Sequence, residues 1–235
     1  MHYDGQRIHP RERLECAIEL LSGARVVADV GCDHGRLSCA LIQRNLAQHC
    51  IAIDISEPSL KKAERLARQI GAEDRIETRL GDGLKPLVAY EADALAILGM
   101  GGTLMNEILD VIPPLMGATK AVLQPMRAPD DIRKWLYDRN YPVLDDRVVL
   151  DAGRHYQIFS VGQQQDKRQE LPEGWPEDCF VLGYTAFSHR EPLMKPLAER
   201  MLATTRRKLK TQQADALTKL AAQLEQILQY WEKQP

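Results

Sequence analysis

The 235-residue sequence has no run approaching eighteen uninterrupted apolar residues, which excludes a transmembrane helix. Its opening stretch, MHYDGQRIHPRER, has no apolar segment of the kind that marks a secretory signal, so export is not expected. Cysteine is scarce and odd in number: Cys16, Cys32, Cys39, Cys50 and Cys179, with no CxxC spacing and no histidine at zinc-finger distance. A disulfide framework and a structural metal are therefore not expected, and buried, reduced thiols in a cytoplasmic protein are. The six histidines (2, 9, 34, 49, 155 and 189) form no HxH or HxxxH pair, which argues against a metal hydrolase. No internal repeat of solenoid period is evident.

What is present is an ordinary globular composition, 44% hydrophobic and 27% charged, enough to bury a core. Net charge is only −2, but it is unevenly spread: residues 190–235 carry net +4 and the rest net −6. A basic tail on an acidic body is either a handle for a polyanion or the solvated face of a helix.

Strand-like and helix-like segments alternate over the first 160 residues, the pattern of an α/β sheet with crossover helices. Leu14, Ala17, Ile18 and Leu21 recur at helical spacing up to Gly23. Strands are predicted at Arg25–Val30, Cys50–Ile55, Ile76–Leu80, Ala94–Leu98 and Ala121–Leu123. Helices are predicted through Leu37–Leu46, after the N-cap Ser56 with Pro58 in its first turn, over Leu104–Val111 and over Asp130–Arg139. Asp145–Leu150 and Tyr156–Val161 flank a short Asp-Ala-Gly-Arg turn and read as an antiparallel hairpin. The polar stretch from Gly162 to Asp178 is the linker candidate. Beyond it, Leu197, Met201, Leu202 and Leu209 form one apolar stripe. Leu217, Leu220, Leu224, Ile227 and Trp231 form a second, out of register with the first. The predicted units are residues 1–163 and 179–235.

The segment Val26-Val-Ala-Asp-Val-Gly-Cys-Asp-His-Gly35 is the most informative. A strand ending in Asp-x-Gly before a helix brings bare backbone to the sheet's C-terminal edge. The spacing is GxxxG, not the GxGxxG of a pyrophosphate cradle. Gly31 and Gly35 permit close approach, while Asp29, Asp33 and His34 make the surroundings acidic and polar, suited to a ligand bearing an amino group. Asp54, with Ile55 beside it, closes the next strand at the position where a carboxylate accepts from ribose hydroxyls. Asp82, followed by Gly83, stands at the third strand end and is placed to meet an adenine amino group. Gly99, Met100 and Gly101 follow the fourth strand, either as a tight turn or as a floor beneath the ligand.

DVGCDHG, AIDIS, LGDGL and GMGG in this order resemble class I S-adenosylmethionine-dependent methyltransferases. The Asp-His of the first loop, the Leu-Gln-Pro after the fifth strand, Asp131-Ile-Arg-Lys-Trp-Leu-Tyr137 and Gly153-Arg-His-Tyr156 narrow the likeness to the TrmK family. It covers about residues 10–165 well and the C-terminal helices more loosely. One departure is visible: that family carries Asn after Leu-Gln-Pro, and this chain has Met126. The resemblance implies a Rossmann-like α/β sheet with an antiparallel C-terminal hairpin and a coiled-coil-like helical appendage. It implies S-adenosylmethionine as cofactor, and methylation of N1 of adenine 22 in tRNA as activity.

On that reading the candidate catalytic groups are Asp33, His34 and Gln124, although His34 serves equally as a loop-stabilising histidine. Arg127, Arg133, Lys134, Arg154, Tyr156 and the cluster Arg206, Arg207, Lys208 and Lys210 are candidates for RNA contact. Trp135, spaced with Ile132, is expected in the core. Two other readings stay open. One is a methyltransferase acting on a small molecule or a protein, its second helical stripe serving dimerisation. The other is a nucleotide-binding module without turnover. Monomer and homodimer are both compatible with the sequence.

Overall fold

The structure, a computed structural model, describes residues 11–110, 117–164, 166, 171, 175–176, 178–212 and 214–233. Residues 1–10 of the first predicted unit, Val111 at the end of a predicted helix and much of the predicted linker lie outside these described residues.

Seven strands form one sheet in the order β3-β2-β1-β4-β5-β7-β6. They are β1 (Val26–Val30), β2 (His49–Asp54), β3 (Ile76–Leu80), β4 (Ala94–Gly101), β5 (Lys120–Arg127), β6 (Val143–Asp151) and β7 (Arg154–Val161). The first five run parallel, and β7 pairs antiparallel with both β5 and β6. The crossovers are α1 (Glu12–Leu20), which leads into β1, α2 (Arg36–Gln43), α3 (Glu57–Gln69), α4 (Gly102–Asp110) and α5 (Pro129–Asp138).

Local chemistry explains these elements. The Ser56 hydroxyl accepts from the Ser59 N–H, and Pro58 sits in the first turn of α3, whose Leu60, Ala63 and Ala67 face the core. The central strands β1 and β2 are almost wholly buried, as apolar runs between two helical layers require. The hairpin closes through Ala152 and Gly153, both with positive φ, so its turn matches the right-handed twist of its strands. Trp135 is in the core as expected, stacked on Tyr141 with its indole N–H donating to Asp110.

Several boundaries differ from the sequence expectation. The second helix ends at Gln43 rather than Leu46, because Asn45 turns into the left-handed region. β4 runs on through Gly99, Met100 and Gly101 as a bulged extension beside a longer β5, so the glycines serve an irregular strand rather than a turn. The short helix α6 (Tyr184–Ser188) was not foreseen.

The two C-terminal stripes are separate helices, α7 (Met194–Leu209) and α8 (Asp215–Lys233). They pack antiparallel: Lys195 lies 3.6 Å from Glu232, and Arg206 donates to Glu225 at 2.9 Å. Leu224 and Ile227 of the second stripe are completely buried together with Trp175, Phe187 and Leu202. Leu220 and Trp231 of the same stripe are half-buried against this cluster, so most of the stripe packs inside this chain. The helices form their own core, joined to the sheet through Val148 of β6.

Candidate active site

The strand order reverses between β1 and β4, so the loops leaving these two neighbours part in opposite directions and open a cleft at the sheet's C-terminal edge. The cleft encloses about 680 Å³ and is lined by residues from every parallel strand end except that of β3, whose following loop contributes Gly81, Asp82 and Gly83. That volume suits a ligand of nucleoside size or larger.

Asp29 is the penultimate residue of β1, the strand at the middle of the sheet, and only 4% exposed. Its Oδ2 accepts from the Ser38 hydroxyl at 2.8 Å. Burial pushes its carboxyl up to about 6, against the lowering effect of Ser38, and the neighbouring charges of Asp54 and Asp33 add to the rise. Three carboxylates are therefore close enough to sense one another, a field that a cation would relieve.

Asp54 is held by the loop it faces. One oxygen accepts the Asp33 N–H at 2.9 Å and the other the Ser56 N–H at 2.9 Å. Each carboxylate oxygen keeps a further lone pair, so the group is oriented and still able to accept from a pair of vicinal hydroxyls. Beside it Ile55 is 72% exposed, an apolar surface at the cleft wall. Asp82 also lines the cleft, paired with Lys85.

The glycines divide by role. Gly31 has φ +71° and lines the cleft, with the methyl end of Met100 where a Cβ would stand. Gly35, expected as a ligand contact, does not line it. A Cβ there would come within 2.6 Å of the Ala63 Cβ, so Gly35 lets α2 approach α3. Gly83 and Gly99 line the cleft, whereas Gly101 does not.

Of the candidate catalytic groups, Asp33 is largely exposed at the mouth of the cleft, with φ +50°. His34 Nε2 stands 3.0 Å from the Lys62 ammonium and 3.3 Å from Asp33 Oδ1. Gln124 is buried at the inner end, its carboxamide donating to the Pro125 carbonyl at 3.0 Å. Sequence reasoning missed three arginines on the same cleft: Arg11, Arg13 and Arg36. The two in the Arg-Glu-Arg of residues 11–13 read as part of an amphipathic helix start, and only the fold carries them to the strand ends.

The candidate RNA contacts fare differently. Arg127 and Arg154 are exposed at the edge of the sheet that holds the cleft. Tyr156 is half-buried, with the Arg13 guanidinium 4.6 Å from its ring centre. Arg133 is a correction. It is 6% exposed, and its guanidinium donates to Asp146 Oδ2 at 2.6 Å, to Gln157 Oε1 at 2.8 Å and to the Phe180 carbonyl at 3.2 Å. A buried guanidinium committed to a carboxylate is not available to phosphate. Lys134 is exposed and paired with Asp138.

Arg207, Lys208 and Lys210 are exposed at the end of α7, and Arg206 is paired with Glu225. Arg200, six residues before the cluster, meets His155 at the hairpin tip at 3.2 Å. At 1.5 Å rise per residue, α7 carries the cluster roughly 9–15 Å past that contact. Burial pushes all five thiols up, Cys179 to about 11 and Cys16 to about 12, so none is a nucleophile at neutral pH. Among the described residues no cluster of His, Cys, Asp and Glu is arranged to hold a metal ion, and no helix is long and apolar enough to cross a membrane.

The family described as "Methyltransferase domain" matches residues 11–159. A tRNA (adenine(22)-N(1))-methyltransferase of Bacillus subtilis (strain 168) is 34% identical over 149 residues, 63% of either chain, so the match spans under two thirds of that relative. The crystal structure of the B. subtilis M1A22 tRNA methyltransferase TrmK superposes with a TM-score of 0.75 at 22% identity, covering 97% of this chain and 99% of that one. M. capricolum TrmK, solved with the cofactor product S-adenosyl-homocysteine, superposes with a TM-score of 0.79 at 19% identity, covering 96% and 99%.

Proposed function

Since the chain belongs to the methyltransferase-domain family, we propose that it methylates N1 of an adenine in tRNA, at position 22, with S-adenosylmethionine as the donor, in the cytoplasm. The observation that carries this reading is the acidic cleft at the β1/β4 switch point, where buried Asp29 and oriented Asp54 face one cavity. The 34% identity to a tRNA (adenine(22)-N(1))-methyltransferase supports the substrate.

The donor supplies an electrophilic methyl group on a sulfonium, and the chain's residues do the rest. Asp29 offers its charge to the ligand's amino group, Asp54 accepts from the ribose hydroxyls, and Asp82 faces the adenine with Ile55 against its ring. The acceptor N1 carries an in-plane lone pair, so no residue need take a proton first. The chain acts by alignment, a contribution that reaches roughly 7–11 kcal/mol in well-oriented systems. Asp33, exposed at the mouth, balances the positive charge that the methylated base acquires. A Watson–Crick edge is hidden in folded RNA, so the nucleotide must be extruded into the cleft. In this reading residues 1–163 are the catalytic unit, and 179–235 a helical arm whose basic end meets phosphate.

Incubation with labelled donor and unmodified tRNA, followed by mapping of the methyl group, tests the assignment. Label on adenine N1 is the expected result; label on a small molecule or a protein, or none, would overturn it. Binding should weaken steeply with salt, and R207Q/K208Q/K210Q should flatten the log–log salt slope by about 0.9 for each phosphate that is no longer neutralised. An unchanged slope would remove the arm from the RNA path. For the donor, D54A should weaken binding about 10-fold to 150-fold by calorimetry, given roughly 1.5–3 kcal/mol for a hydrogen bond to a charged group and 1.36 kcal/mol per decade. An affinity within twofold of wild type would take the ribose role from Asp54.

A further inference from the structure

Arg13 joins three parts of the chain at the cleft. It lies in the first turn of α1, and its Nε donates to Asp151 Oδ2 at 3.0 Å. Its Nη1 donates to Gln124 Oε1 at 3.0 Å and approaches the Met126 sulfur at 3.3 Å. Its guanidinium also lies over Tyr156, 4.6 Å from the ring centre. Asp151 and Tyr156 belong to the hairpin end, and Gln124 and Met126 to the C-terminal end of β5. Met126 is also the position at which the chain departs from the family pattern that it resembles.

A guanidinium can only donate, so the carboxamide oxygen of Gln124 must face it. The amide nitrogen is thereby turned the other way. One of its hydrogens goes to the Pro125 carbonyl, and the other has, among the described residues, only the Met126 sulfur at 3.7 Å. Gln124 is 3% exposed yet borders the cavity, so its amide cannot reorient without breaking these contacts. A lysine could satisfy Asp151 or Gln124 but not hold both in one plane.

We propose that Arg13 is a positioning residue for methyl transfer. It fixes Gln124 so that the amide N–H now facing the Met126 sulfur, a weak acceptor that a base nitrogen can replace, and not the carbonyl, is offered to the incoming nucleobase, and it clamps the hairpin end to β5 to set the wall beside that base. The inference rests on the methyl-transfer reading above. It assigns Arg13 to the acceptor half of the cleft, apart from the acidic half that takes the donor.

The test compares R13K, R13A, Q124A and R13A/Q124A in the full-length protein. R13K should lower kcat at least tenfold, with the donor dissociation constant within twofold of wild type. R13A/Q124A should be no slower than the slower single variant, because Arg13 acts through Gln124. Millimolar guanidinium should restore part of the R13A rate and none of the Q124A rate. A wild-type kcat in R13K, or rate reductions that multiply in the double variant, would overturn the proposal. R13K keeps the charge and serves should R13A fail to fold. A readout independent of turnover is the side-chain amide pair of Gln124 in ¹⁵N NMR, expected apart from the free-glutamine position in the wild type and displaced from its wild-type position in R13K. If the wild type binds donor but methylates no tRNA, the functional reading fails, and this NMR comparison still decides the role of Arg13: unchanged Gln124 resonances in R13K would refute it.

Discussion

D29N is expected to stabilise the free protein at neutral pH while weakening its hold on the methyl donor. Asp29 sits in the middle of the sheet, flanked in register by Ala52 of β2 and Ala96 of β4, where a charge is poorly solvated. Burial raises its folded-state value from the ordinary 3.8 to about 6. An acid whose value is raised on folding favours the fold only while protonated. Its contribution is complete below the unfolded value and is lost as pH rises through about 6. Above that, the ionised carboxylate destabilises the free protein by an amount on the order of 3 kcal/mol, from roughly 1.36 kcal/mol per pH unit. Asparagine keeps an oxygen for the Ser38 hydroxyl and removes the charge.

Thermal unfolding at pH 7.5 should therefore show D29N melting several degrees above wild type, at roughly 2–4 °C per kcal/mol for a chain of this size. The difference should shrink towards pH 5. Calorimetry should find donor affinity at least tenfold weaker in the variant, and wild-type affinity rising with pH through about 6 to a plateau. A lower melting temperature for D29N at pH 7.5 would refute the energetic argument, and an unchanged affinity the binding role.

The second large effect concerns the buried pair. R133A should lose about 3–5 kcal/mol of unfolding free energy, because it strands the Asp146 carboxylate in the interior. Asp146 is completely buried, and desolvation already holds its carboxyl above the usual range despite Arg133. Both strong contacts from Arg133 go to Oδ2, and Oδ1 has no partner among the described residues, so without Arg133 the charge keeps only the weaker pull of His189, set against the repulsion of Asp145. Arg133 also reaches the Phe180 carbonyl, and Gln157 donates to the Val181 carbonyl, so the pair ties the sheet to the chain entering the C-terminal helices. Urea unfolding of R133A should show a lower midpoint, and R133M/D146L should regain most of the stability, since two apolar side chains strand no charge. Equal destabilisation in R133A and the double variant would mean that the cost is packing and not electrostatics.

Arg133 marks where one-dimensional reading stops. In sequence it is one cation of a helix that begins with two aspartates, indistinguishable from Lys134 next to it. Lys134 is solvated and Arg133 is buried, because α5 turns one face to the hairpin. Arg13 was missed for the same reason: Asp151 is 138 positions away along the chain. The glycines show the distinction at finer grain. Gly31 and Gly35 are equivalent in the motif, yet one borders the cavity and the other admits Ala63 of a neighbouring helix.

The amino-acid order alone determined the alternation of strands and helices, the capped third helix, the hairpin, and acidic residues at successive strand ends. These follow from periodicity, turn chemistry and capping, which act over a few neighbouring residues. Only the tertiary structure decided the strand order that opens the cleft, the burial of Arg133 with Asp146, and the mutual closure of the two C-terminal stripes. It also decided the convergence of Arg13, Gln124 and the hairpin end. Each of these depends on contacts between segments far apart in the chain, and such contacts are chosen by the packing of whole layers, not by any local pattern.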